Sequence, residues 1–234
     1  MPPAPTISRL PVLDDVRPPS MTDQVFDILY DRVVNLALPP GEKLSEAEVA
    51  AQLGVSRQPV RDAFFRLSQL GFLLIRPQRA TTISPISEDA VRQAQFIRSA
   101  LEADGMRRAA QVLTAGDLDD LDDLIAQQVA AVAADDHATF HELDDAFHKA
   151  ICDRAGLDFV WTLVKENKGH MDRARYLSLI FGGPRAIEDH RTIMDALRAR
   201  DPDAAVTAIR AHLGQIEHIL DRLRRDRPEM FQGV

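Results

Sequence analysis

The sequence has 234 residues and is poor in several things that would define other classes of protein. It has one cysteine, Cys152, which cannot form an intrachain disulfide. That excludes a disulfide-stapled scaffold and fits a reducing cytoplasm. Aromatic residues make up 6%, and few segments read as strands, so the fold class is mainly α. No uninterrupted apolar run approaches the roughly 18–20 residues needed to span a bilayer, so no membrane partner is expected. The N-terminal stretch Met1–Asp15 has prolines and early acids and no apolar core, and it does not read as a signal peptide. Excess positive charge is also missing. The formal net charge is −8, which excludes a basic scaffold that coats nucleic acid with its whole surface. At 45% hydrophobic, the chain can bury cores for two modest domains.

The acidity is not uniform. Residues 21–87 carry seven basic and seven acidic groups, whereas 88–234 carry 19 basic and 27 acidic groups. From Arg57 to Arg79 there are five arginines (Arg57, Arg61, Arg66, Arg76, Arg79) against Asp62 alone. A locally basic stretch therefore lies in a neutral segment. A solvated helix face would look the same on charge alone.

Residues 1–20 hold six prolines and are expected to form a flexible arm. Over 21–86 the order is helix, helix, tight turn, helix, β-hairpin. The first helix is expected to be capped by Thr22, with Val25, Ile28, Leu29, Val33 and Leu36 at helical spacing and Pro39-Pro40-Gly41 ending it. Ser45 and Glu48 form a candidate capping box for the second helix, which Gly54 ends. Ser56 is set to cap the third, with Pro59 in its first turn and Gly71 as a left-handed terminator. Phe72–Ile75 and Thr81–Ile83 read as short strands. That order is a winged helix-turn-helix, whose second paired helix enters the major groove. Its start, Arg57-Gln58-Pro59-Val60-Arg61, offers side chains suited to guanine, adenine and phosphate, and Arg79 sits at the wing tip. The bland alternative is that these arginines only solubilise a small helical domain.

The stretch Leu38–Ser84 resembles the DNA-binding domain of GntR-type bacterial regulators. The similarity is carried by Pro40-Gly41, Leu44-Ser45-Glu46, Val55–Arg61, Leu70-Gly71 and Arg76–Arg79. The resemblance implies DNA contacts by Ser56, Arg57, Gln58 and Arg61 and by the wing tip. Ala80 stands where the family usually has Gly, which bears on the wing turn.

Residues 87–228 show no strand pattern. Helices can be drawn over 88–111, 117–134, 137–154, 157–180, 184–199 and 202–225, which implies an antiparallel all-helical bundle. Asp144 and His148 are four apart and project from one face. His190 and His212 each lie 11 residues from Asp201, at the turn between the last two helices. In an antiparallel hairpin they reach the same height, roughly 16 Å from that turn. Three imidazoles and one carboxylate suit a divalent transition metal such as Zn, Ni or Mn. His137, His141, His170 and His218 read as surface or helix-face residues, and a bundle with incidental histidines that serves only dimerisation is the bland alternative.

Asp144–His148, Glu188-Asp189-His190, Ala211-His212-Leu213 and Arg98–Glu102 resemble the motifs of the FCD domain found in the FadR branch of the GntR family. The number of helices fits its shorter, VanR-like form. By that resemblance Asp144, His148, His190 and His212 bind the metal, and the domain holds a small organic acid. Arg98 is then a candidate carboxylate anchor, with a structural ion pair as its alternative. Asn167, His170 and Arg173 are candidate effector contacts, bracketed by counting along the fourth helix of the bundle. The implied function is a metabolite-responsive repressor, binding a pseudo-palindromic operator as a cytoplasmic homodimer. The alternative is a helical-bundle metalloenzyme, against which stands the absence of any H-E-x-x-H or E-x-x-H pair.

Overall fold

The computed structural model describes residues 19–76 and 79–231, without the side chains of 179–181. The arm expected over 1–20 lies almost entirely outside the described residues, as do Pro77 and Gln78 of the wing turn.

The N-terminal unit runs α1 (Met21–Val34), β1 (Lys43–Leu44), α2 (Glu46–Leu53), α3 (Arg57–Gln69), β2 (Leu73–Leu74) and β3 (Thr81–Ile83). Its strands form an antiparallel sheet in the order β1-β3-β2, with Lys43 opposite Thr82 and Leu73 opposite Ile83. The two-residue strand β1 was not visible in the sequence. Val25, Leu29, Val33, Val60, Phe64, Leu67, Phe72 and Ile83 form one buried core. Ile28, expected in that stripe, is exposed, and Val34 is buried instead. Gly54 and Gly71 take the left-handed conformations expected of them, with φ of 67° and 81°.

The caps differ from expectation for readable reasons. Ser20, not Thr22, caps α1, in a reciprocal capping box with Asp23. Ser45 sits at the N-cap of α2 but makes no side-chain bond. Ser56 occupies the N-cap of α3 and also makes no side-chain cap bond. The third residue of that helix is Pro59, which has no amide to donate. The Ser56 hydroxyl is therefore left at the exposed helix start.

The C-terminal unit is α4 (Glu88–Val112), α5 (Ala115–Ala133), α6 (His137–Arg154), α7 (Asp158–Asn167), α8 (Gly169–Arg198) and α9 (Pro202–Asp226). Met106, Leu121, Phe147, Ile151, Ile193, Ile209 and Leu213 lie at its centre. The expected break at Gly182-Gly183-Pro184 does not occur, and α8 runs through Pro184. Proline forfeits one backbone bond there. Packing compensates: Gly183 lies so close to α5 that a Cβ would sit 2.9 Å from Val132 Cγ2. The chain bends instead at Lys168, whose buried ammonium is 2.7 Å from Asp145 and also pairs with Asp172.

The start of α8 rests on the N-terminal unit. The His170 ring stacks on Phe72, with centroids 4.2 Å apart, and its Nε2 lies 2.8 Å from the Leu70 carbonyl. Arg173 donates to the Ser84 carbonyl at 2.6 Å. At the linker, the Ile86 amide donates to Met230 O at 2.8 Å, tying the C-terminal turn Pro228–Met230 to the junction.

Candidate functional site

Two sites emerge, one in each unit. On the first, Ser56, Arg57, Gln58 and Arg61 are all exposed at the start of α3, and Arg79 is exposed beside the wing turn. Arg61 is braced by Glu46 of α2 at 3.2 Å, and Gln58 donates to Asp62 at 2.9 Å. Both groups are thus preset while remaining open to water. Outside glycine, positive φ among the described residues occurs at Leu36, Asp135 and Arg200, so Ala80 needs no left-handed conformation.

The second site lies inside the helical unit. α6 supplies Asp144 and His148, α8 supplies His190 and α9 supplies His212. One ligand atom from each falls within 4.8 Å of all the others. Asp144, His148 and His190 are buried, and the His212 side chain is 11% exposed.

The partners of the rings show what these atoms can do. His190 Nδ1 is 2.8 Å from Gln128 Oε1, and Gln128 Nε2 donates to the Leu143 carbonyl at 3.0 Å. A carbonyl only accepts, so the Gln128 amide orientation is fixed and His190 must carry its proton on Nδ1. His212 Nδ1 lies 3.4 Å from Asp189. His148 Nδ1 lies 2.7 Å from Glu102 Oε2, a close contact that is not an in-line hydrogen bond. All three rings thus turn Nδ1 toward an acceptor and Nε2 toward one another.

The inward atoms are left without ordinary partners. His190 Nε2 is buried with no hydrogen bond. The Nε2 atoms of His148 and His212 face each other at 3.2 Å. With both rings protonated on Nδ1, the two lone pairs would repel unless a proton or a metal ion lay between them. Burial lowers the pKa of His190 and of His212, which favours the neutral, ligating form. For Asp144, burial opposes ionisation, but the Arg175 guanidinium outweighs it and holds the carboxyl well below its usual range. Three imidazoles, each with an acceptor beside its Nδ1, and one carboxylate held by Arg175 fit a borderline divalent ion. Replacing Gln128 with leucine is expected to weaken such binding by about 10–100-fold, as measured by zinc titration calorimetry.

A cavity of about 270 Å³ opens beside the cluster, lined by Asp144 and His212 with Arg98, Phe140, Ile216 and Ile219 among others. Arg98 is buried, and its Nε donates to Glu102 at 2.6 Å. Its Nη2 has no hydrogen-bond partner. The same guanidinium thus pairs with Glu102 and borders the cavity.

The three candidates drawn from helix counting lie elsewhere, His170 among them, stacked on Phe72 at the junction. Asn167 is exposed at the end of α7 and donates to Leu163 O at 2.8 Å. Arg173 is buried at the junction between the units, held by Ser84 and Pro85. Desolvation there lowers its pKa to about 10. Met171, Arg175 and Ser178 of the same helix line the cavity instead. His141 is also buried, stacked on Tyr176, and does not lie on the surface as expected. Gln128 and Arg175 were not singled out in the sequence, and Glu102 and Asp189 entered it only as members of matched motifs, without a site role.

A winged helix-turn-helix joined to a helical unit with a buried, ligand-like cluster defines the architecture of a bacterial regulator. Residues 21–83 match the family described as bacterial regulatory proteins, gntR family, and residues 93–215 match the FCD domain. The chain belongs to the GntR family of transcriptional regulators and carries an FCD domain. It is 35% identical over 213 residues to the HTH-type transcriptional repressor RspR of Escherichia coli (strain K12), covering 90% of this chain and 93% of that protein. It is 28% identical over 197 residues to the Nta operon transcriptional regulator of Aminobacter aminovorans, covering 82% and 91%. Among solved structures it resembles E. coli McbR/YncC, with a TM-score of 0.71 and 26% identity, over 87% of this chain and 98% of that one. These relatives are regulators, and the metalloenzyme alternative finds no support among them. No helix of the described residues is long and apolar enough to cross a membrane.

Proposed function

We propose that the chain is a repressor that binds a pseudo-palindromic operator as a homodimer and responds to a small organic acid held in the FCD domain. Ser56, Arg57, Gln58, Arg61 and Arg79 contact the DNA, with α3 in the major groove. Asp144, His148, His190 and His212 hold a divalent ion (Zn, Ni or Mn), which supplies open coordination positions for a carboxylate. The single observation that carries the sensing role is the convergence of three inward Nε2 atoms and one carboxylate within 4.8 Å, against a cavity. The Arg98 Nη2, unpartnered and buried, supplies charge for the acid, while Phe140, Ile216 and Ile219 cover its apolar part. An acid bound there alters operator occupancy only through a difference in affinity between two arrangements of the DNA-binding units.

The test is binding of the purified chain to DNA upstream of its own gene, over a series of salt concentrations. Log affinity is expected to fall linearly with log salt, with a preference over unrelated DNA. Arg57→Ala and Arg61→Ala are each expected to weaken binding by about 10-fold or more. No preference for the upstream DNA at any salt would overturn the operator role. Metal analysis and a thermal-shift screen of organic acids on metal-loaded protein test the sensing role.

A further inference from the structure

We propose that the first two turns of α8, Gly169–Tyr176, carry occupancy of the Asp/His cluster to the DNA-binding unit, with Asp172 and Arg175 as positioning residues. This rests on the reading of the cluster as a metal site.

One face of the segment is tied to the cluster. Lys168, Asp172 and Arg175 recur at helical spacing on that face. Arg175 pairs with Asp144, and its Nη1 lies 3.2 Å from Asp172 and 3.4 Å from Asp145. Lys168 bridges Asp145 and Asp172. The His141 ring stacks on Tyr176 and lies 3.6 Å from Asp172. Two cations thus share three carboxylates, and one of those carboxylates, Asp144, belongs to the cluster.

The adjacent face is tied to the DNA-binding unit. Gly169 packs so tightly that a Cβ would lie 2.9 Å from Phe72 Cζ and closer still to the Tyr30 hydroxyl. His170 holds Phe72 and Leu70, immediately after α3, and Arg173 holds Ser84 and Pro85, immediately after β3. The same two turns therefore grip the end of the recognition helix and the exit of the wing strand.

Charge connects the two faces. Asp144 would hold a dication through its carboxylate, and the added charge would repel the Arg175 guanidinium paired with it. The guanidinium then leans on Asp145 and Asp172, which also hold Lys168 at the start of α8. The glycine contact leaves no slack beside that lysine, so movement of the first turn is passed to Tyr30 and Phe72 and not absorbed. A small shift at a close-packed contact is enough to re-aim a rigid unit.

The experiment is hydrogen–deuterium exchange on the full chain, with zinc alone as the probe. In the wild type, zinc is expected to change exchange over 169–176 and at the junction segments 70–73 and 84–86. Asp172→Asn is expected to bind zinc within about 10-fold of wild type. It should keep the exchange change around His190 and lose the change at 70–73 and 84–86. His170→Ala, at the far end, should keep the response over 169–176 and lose it at 70–73, which leaves a test if Asp172→Asn folds poorly. Zinc binding with a silent junction in the wild type would overturn the coupling and leave the metal site standing. So would a full junction response in both variants. Absence of zinc binding in the wild type would overturn both.

Discussion

Replacing His190 with alanine is expected to abolish stoichiometric binding of a divalent transition ion by the folded chain. The loss should exceed the roughly 10–100-fold that removal of an outer partner costs, because a ligand atom disappears from the centre of the cluster. Elemental analysis after dialysis and competition with a chelator would measure it. The variant should also lose the thermal stabilisation that zinc gives the wild type, about 2.7 kcal/mol at a concentration 100 times the dissociation constant. Unchanged stoichiometry would show that the four residues do not act together. The metal-free protein has a pH signature of its own. Burial lowers the His190 pKa, so its neutral form contributes stability above the unfolded value of 6.5 and loses it as pH falls through the lower folded value. Urea unfolding of metal-free protein should therefore show destabilisation below about pH 6.5, weaker in His190→Ala.

Arg98→Met should cost about 3–5 kcal/mol of folding stability, because it strands the Glu102 carboxylate in the interior. Arg98 and Glu102 side chains are each 1% exposed, and without Arg98 the Glu102 carboxylate keeps only the His148 ring beside it. The second change Glu102→Leu should recover most of the loss, since a buried pair is often replaceable by well-packed apolar residues. The same pair of variants separates the two roles of Arg98. If its Nη2 anchors a carboxylate, stability returns in the double variant while the response to organic acids does not. Urea midpoints and thermal shifts with an acid identified on the wild type give both readouts. A small loss in the single variant would place the ion pair among replaceable contacts.

Much of the DNA-binding unit was legible because its signals are local. Gly54 and Gly71 mark helix ends through backbone freedom, and Val60, Phe64 and Leu67 form a stripe that needs only helical period. The convergence of His190 and His212 was legible for a similar reason. Equal distances from one turn place two residues at one level whatever the rest of the bundle does. Contacts counted from an assumed break were not legible. Placing that break at Gly182-Gly183-Pro184 shifted the fourth helix of the bundle, so Asn167 and Arg173 were assigned to a cavity that Met171 and Arg175 line. Nothing in the sequence shows that Gly183 fits against Val132 or that Lys168 is buried. Glu102, Gln128 and Asp189 were missed because a polar residue on a helix looks the same whether it meets water or the back of an imidazole. Ser45 and Ser56 occupy their cap positions without the capping bond, and for Ser56 the missing amide of Pro59 could have been read.

Cys152 lies in the small core with Val160, Trp161 and Val164, 2% exposed, and burial pushes its thiol up to about 12. It is the sequence's sole cysteine. At neutral pH such a thiol is neither ionised nor reachable, so thiol reagents pass it by. The chain is thus ready for site-specific labelling. A cysteine introduced at an exposed position such as Phe96, which is 73% exposed, would be the one reactive thiol per copy. A single dye placed there could report motion between the two units without replacing the native cysteine.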